Sequence, residues 1–245
     1  MDHAGLVERS GAAVRIVSLD GGATDILRAL DLTPILPAPD PAAIADARPD
    51  IVFLPGPSHG ETVAPTALRR ELRARQTRAG VYVLNPMTLG EALWTIKTVG
   101  DAVGCSPAAR RLLVETRSRI DRVALRAAQR PRWPRVALLT EGDPPSALSG
   151  WPSELIGVCG GVSIVGQPAA RLGPGLLGLS VAEATDVVIV VATTPGRTRV
   201  LTPAPSGALA RGARWFRAEG GALSSHGPGV ALDADALVAV LEAHS

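Results

Sequence analysis

The chain has 245 residues, 46% of them hydrophobic and 20% charged, the balance of a folded soluble protein rather than a disordered one. A formal charge of +2, with arginines scattered rather than striped along one face, excludes a nucleic-acid-binding surface. All 25 basic residues except Lys97 are arginine, which reads as codon usage rather than recognition.

Taken in order, Met1 to Ser10 has neither the basic nor the apolar region of a signal peptide. No segment reaches the ~18 consecutive apolar residues that span a bilayer. A cytoplasmic location without membrane insertion is therefore expected, or a periplasmic or cell-surface one if a leader was removed. Val14 to Leu19 is a β-branched apolar run closed by Asp20-Gly21-Gly22 and predicts a strand. Ile26, Leu27 and Leu30 predict a helix from Thr24 to Leu32. Ile51 to Leu54 and Val81 to Leu84 predict two more strands, with a polar helix from Thr66 to Thr77 between them. Continuous apolar strands separated by helices indicate a parallel sheet covered on both faces.

Leu89 to Val103 predicts a helix broken at Gly104, and Ser106-Pro107 opens a second one. Ala109, Leu112, Leu113, Thr116, Ile120, Val123 and Ala127 form its apolar stripe. The arginines at 110, 111, 117, 119 and 122, with Glu115, form a solvated face, and Pro131 and Pro134 end the pattern. The second half restarts the alternation. Strands are predicted over Val136–Leu139, Val162–Val165, Asp186–Val191 and Ala213–Phe216, and helices over Trp151–Val158, Leu176–Glu183, Pro205–Arg211 and Asp233–His244. Cys105 and Cys159 lie far apart without metal-ligand spacing and read as two buried thiols, a disulfide being the alternative. The expected organisation is an N-terminal α/β lobe over 1–88, bridging helices over 89–131 and a C-terminal α/β lobe over 132–245. The fold class is α/β, two Rossmann-like lobes with parallel sheets joined by a long backbone helix, with a functional cleft between the lobes.

Several motifs carry a resemblance. Arg15-Ile-Val-Ser-Leu19 followed by Ala23 to Leu27, Arg48-Pro-Asp-Ile-Val52, Val158-Cys-Gly-Gly161, Ala184-Thr-Asp-Val-Val-Ile189 and Gly227-Pro-Gly229 occur in a fixed order. Together they resemble the helical-backbone (class III) substrate-binding proteins of ABC transporters, cobalamin binders first and haem and ferric-siderophore binders next. The resemblance covers nearly the whole chain and implies two lobes closing on a small ligand and docking on a permease. Between Leu32 and Pro49 the chain is shorter than the family's segment, which in cobalamin binders carries ligand-contacting aromatics. Ala42 to Ala47 offers no docking Glu, Glu183 is the one candidate for the second, and Arg171 to Ser180 has no aromatic.

Ligands of parallel α/β sheets bind outside the carboxyl ends of the strands. That rule nominates the loops at 20–22, 56–61, 85–87, 140–151 and 193–199, joined by 224–226. The candidate ligand-binding residues are Asp20, Ser58, His59, Glu61, Met87, Ser146, Trp151, Arg197 and His226. His59 with Glu61 would supply a metal ligand and a carboxylate, or an acid/base pair. His226 would be the lower axial ligand of a corrin or haem metal. Both histidines read equally as exposed turn residues flanked by glycine. Asp20 is a general base, an amine partner or a helix cap. Trp151 stacks on a ligand or covers an apolar patch, and Arg197 and Arg199 clamp an anion or are solvated.

No three ligands converge, so no metal site is assigned, and without a G-x-S-x-G elbow no catalytic residue is either. Gly160-Gly161 reads as a helix C-terminus rather than a dinucleotide fingerprint. The expected function is binding of a small molecule, a cobalamin-like corrinoid, haem or metal chelate, with cobalamin first and an ABC permease as partner. The alternative is a cytoplasmic member of this fold that has left transport and serves as a biosynthetic enzyme or cofactor carrier. A homodimer is left open.

Overall fold

A computed structural model of the chain describes residues 6–9, 12–57, 63–142, 146–164, 185–192, 199–204 and 212–243. Its contacts divide into two units. The first comprises Met1–Met87, Glu91–Glu115 and His226–Pro228, and the second Thr88–Gly90, Thr116–Ser225 and Gly229–Ser245.

In the first unit, β1 (Leu6–Arg9), β2 (Ala12–Ser18), β3 (Ile51–Pro55) and β4 (Gly80–Leu84) form a sheet in that order. The pairings β2–β3 and β3–β4 are parallel, whereas β1 joins β2 as an antiparallel hairpin. All five residues of β3 are buried, as expected of a central strand covered on both faces. Val52 and Leu54 pack with Val17, Ile44, Leu68 and Leu72, so that α2 (Pro41–Asp46) and α3 (Pro65–Ala74) cover one face. On the other face Phe53 is fully buried, with its ring 5.5 Å from that of Tyr82.

Helix α1 (Gly21–Ala29) starts where the Asp20 side chain accepts the Ala23 N–H, an N-cap that satisfies one of the helix's orphan donors. Asp40 caps α2 in the same way, with Pro41 in its first turn. Neither α2 nor the short β1, with two charges in four residues, is predicted from the sequence. Helix α4 (Leu89–Ala102) is followed by α5 (Ser106–Ala127), 22 residues long. Of the α5 stripe, Ala109, Leu113, Thr116, Ile120, Val123 and Ala127 are buried as its spacing requires, and Leu112 is half-buried at its margin.

The second unit holds a sheet ordered β6 (Ser146–Ala147), β5 (Arg135–Thr140), β8 (Val187–Val191), β10 (Arg214–Glu219), β9 (Val200–Ala204), with β7 (Val162–Ser163) also on β5. Its centre is parallel, as predicted, and β6 and β9 add antiparallel edges that the sequence analysis does not anticipate. Helix α6 (Trp151–Val158) ends at Cys159-Gly160, where φ of +77° suits glycine. A Cβ on Gly160 would also come within 3.0 Å of the Ala127 Cβ. Helix α7 (Gly229–Glu242) closes the chain, starting four residues earlier than predicted because Gly229 itself is helical. The helices predicted over 176–183 and 205–211 lie outside the described residues.

Both sheets begin with the same contact. Asp50, just before β3, accepts the Arg15 N–H at 2.7 Å and donates its own N–H to the Arg15 carbonyl at 2.8 Å. Asp186, just before β8, does so with Arg135 at 2.8 and 2.9 Å.

Candidate functional site

The carboxyl ends of β2, β3 and β4 carry Asp20, Gly56-Pro57 and Asn85 to Met87. Asp20 is 3% exposed and His226 only 1%, and the structure brings the two together, His226 Nε2 lying 3.0 Å from Asp20 Oδ1. His226 Nδ1 lies 3.0 Å from Thr95 Oγ1, whose hydroxyl is also 2.7 Å from the Ala92 carbonyl. A hydroxyl has one proton to give. Either Thr95 donates to the Ala92 carbonyl and accepts from Nδ1–H, or it donates to Nδ1.

Local sequence explains the fit. Gly22 leaves room for the imidazole, since a Cβ there would fall 2.3 Å from Nδ1. Gly227 has a φ of +91° and a backbone held against Ile26, while its N–H donates to the Ala92 carbonyl at 3.3 Å. Ser18 and Thr24 extend the buried polar cluster, Thr24 Oγ1 donating to Ser18 Oγ at 2.9 Å. Sequence reasoning misses Thr95, Ser18, Thr24 and Gly22 as members. Thr95 reads as one more residue on the inner face of an amphipathic helix, and only the fold shows that an imidazole reaches it.

Of the readings open for Asp20, the helix cap is the one seen, and the carboxylate also serves the histidine. His226 is not an exposed turn residue. For its Nε2 to ligate a metal, the contact with Asp20 would have to open. Met87 is 43% exposed at the end of β4, its N–H donating to Glu91 and its sulfur 3.7 Å from Asn85 Nδ2. Ser146 sits in β6 and its carbonyl accepts from Thr140 Oγ1. Trp151 is 1% exposed, in the core of the second unit. Ser58, His59, Glu61 and Arg197 lie outside the described residues.

Arg199, read as an anion clamp or a solvated residue, is neither. It lies across Gly229 and its guanidinium is buried against Asp233 at 2.8 Å and the Ser225 carbonyl at 2.9 Å. Asp233 also accepts the Leu223 N–H, so this ion pair fixes the loop that leads to His226. Cys105 and Cys159 are free thiols. Burial pushes the Cys159 thiol up to about 12, against a smaller opposing pull from Arg130. Among the described residues no cluster of three metal-ligating side chains occurs, and no helix is long and apolar enough to cross a membrane.

No family model and no curated protein matches the sequence. Solved structures do match. The haem-binding protein RhuT from Roseiflexus sp. RS-1, described as periplasmic, superposes with a TM-score of 0.67 at 18% identity over 95% of this chain and 98% of its own. The vitamin B12-binding protein BtuF of Vibrio cholerae, also described as periplasmic, gives 0.61 at 16% identity over 94% and 96%. An ABC-transporter substrate-binding protein from Listeria monocytogenes EGD-e gives 0.63 at 15% identity over 93% and 98%. The chain therefore has the fold of the helical-backbone substrate-binding proteins of ABC transporters, as its sequence motifs imply.

Proposed function

We propose that this chain is a solute-binding protein for a planar metal chelate of the haem or corrinoid type, delivered to an ABC permease. The observation that carries the reading is likeness over nearly the full length of both chains to proteins described as binding haem or vitamin B12. At these identities the likeness speaks for fold, and the ligand class is argued from the residues. Met87 offers an exposed thioether at a strand end, a soft donor suited to an axial position on iron or cobalt. A site built on stacked rings would need more aromatics than the 3% this chain has, so axial ligation would carry more of the affinity.

The test is titration of the purified full-length protein with hemin, cobalamin and a ferric siderophore, read by absorbance and by melting temperature. Hemin or cobalamin is expected to shift its absorbance bands and raise the melting temperature, and Met87→Ala to alter the bound spectrum. No shift and no stabilisation with any of the three would refute the reading. Cell fractionation decides between a cytoplasmic and a periplasmic placement.

A further inference from the structure

We infer that the outer edge of β4 is a docking site for an extended acidic peptide segment of a partner protein, added as a fifth strand of the first sheet. The inference is independent of the solute reading and starts from the comparison of the two sheets. Strand β4 stands to β3 as β10 stands to β8: Gly80 pairs Ile51 as Arg214 pairs Val187, and Gly80 and Arg214 donate to the carbonyls of Asp50 and Asp186. In the second unit the far edge of β10 is closed by antiparallel β9. In the first, β4 is the last strand among the described residues.

That edge is open and ready to pair. Gly80 N–H bonds the Asp50 carbonyl and the Leu84 carbonyl accepts Gly56 N–H, so the even-numbered residues face β3. Val81 and Val83 therefore turn their N–H and C=O groups outward. Tyr82 and Val83 point to opposite faces of the sheet, yet are 37% and 40% exposed. The strand, Gly-Val-Tyr-Val-Leu, has no charge, proline or bulge of the kind that normally guards an edge.

Charge selects the occupant. Beside the edge lies a groove of about 500 Å³ whose lining includes Arg69, Arg73, Arg78 and Val81 and no acidic residue. Arg69 and Arg73, four apart, share one face of α3. None of the three arginines pairs with a described acid; Asp46 and Glu71 are taken by Arg75. A second copy paired edge to edge about a twofold axis would set these arginines against their own images, which disfavours self-association. An extended segment rich in Asp or Glu satisfies both the backbone edge and the arginines.

The test uses the full-length protein and a capped, fluorescein-labelled peptide alternating glutamate with threonine, read by anisotropy at low salt. The acidic peptide is expected to bind and its lysine-for-glutamate counterpart not to. Arg69→Glu with Arg73→Glu and Arg78→Glu should abolish binding. Val83→Pro, which removes an outward N–H and leaves the β3 ladder intact, should weaken it about tenfold. Should that variant unfold, N-methylation of alternate peptide residues asks the same question with the wild-type chain and is expected to abolish binding. Equal binding of both peptides would overturn the proposal. So would binding indifferent to Val83→Pro or N-methylation but displaced by inorganic pyrophosphate, the behaviour of an anion site only. A concentration-dependent dimer in ultracentrifugation that Val83→Pro dissolves would overturn it in favour of a second copy.

Discussion

In the first unit Asp50 ties β3 to Arg15 of β2, and in the second Asp186 ties β8 to Arg135 of β5 with the same pair of hydrogen bonds. Each unit also buries a side-chain contact to a carboxylate, His226 with Asp20 in the first and Arg199 with Asp233 in the second. The units part at the third strand, which pairs with β9 in one and, among the described residues, with no further strand in the other. A shared start with a different finish teaches that the strand-entry contact sets the sheet, while the edge is free to take on a separate role.

The largest expected contrast is between the two thiols. With Cys159 pushed up to about 12, its thiolate fraction near neutral pH falls on the order of a thousandfold below that of an ordinary thiol. Disulfide-exchange labelling should therefore modify half-buried Cys105 in the native protein and Cys159 only on unfolding; equal rates would show that the α6 end opens readily. The sign of the linked stability follows: the unfolded chain releases this proton first, so stability falls as pH rises from about 9 to about 12. Cys159→Ala should flatten that slope.

Breaking either buried contact comes next. Asp233→Ala strands the Arg199 charge, and Asp20→Ala removes both the partner of His226 and the α1 cap; each is expected to destabilise by about 3–5 kcal/mol, read from denaturant melts. A small effect from Asp20→Ala alone would show that the two contacts are not equivalent. Gly22→Ala and Gly229→Ala, whose new methyls would fall 2.3 Å from the His226 ring and 2.1 Å from the Arg199 guanidinium, should each cost about 1–3 kcal/mol. Smallest, and the direct test of the shared start, are Asp50→Asn and Asp186→Asn. Each weakens one acceptor at a strand entrance for about 1 kcal/mol, and Asp186→Asn also weakens the exposed ion pair with Arg132, for up to about 1 kcal/mol more.

Much of this architecture is legible before any coordinates. The strands over 51–54, 136–139 and 187–191 are continuous apolar runs because they are buried on both faces, 81–84 is such a run although Tyr82 and Val83 are exposed, and the α5 stripe from Ala109 to Ala127 announces its inner side. The edge strands β6 and β9 carry no such signal: two residues of β6, and a β9 containing Pro203, pair only because β5 and β10 present open ladders to them. For the site, Asp20 and His226 can each be nominated from position after a strand, but 206 positions of chain separate them. Nothing local says that Gly22 is small in order to admit an imidazole. Arg199 is likewise indistinguishable from a solvated loop arginine until Asp233 is seen beside it.

Residues His226–Pro228 belong to the first unit, although the chain on either side of them belongs to the second. On the ribosome, the first unit therefore cannot be completed when its own strands have emerged. Its Asp20 carboxylate waits for an imidazole that arrives only at residue 226 of 245. A fragment ending after α5 would carry every described strand of the first sheet yet lack the residue that seals it.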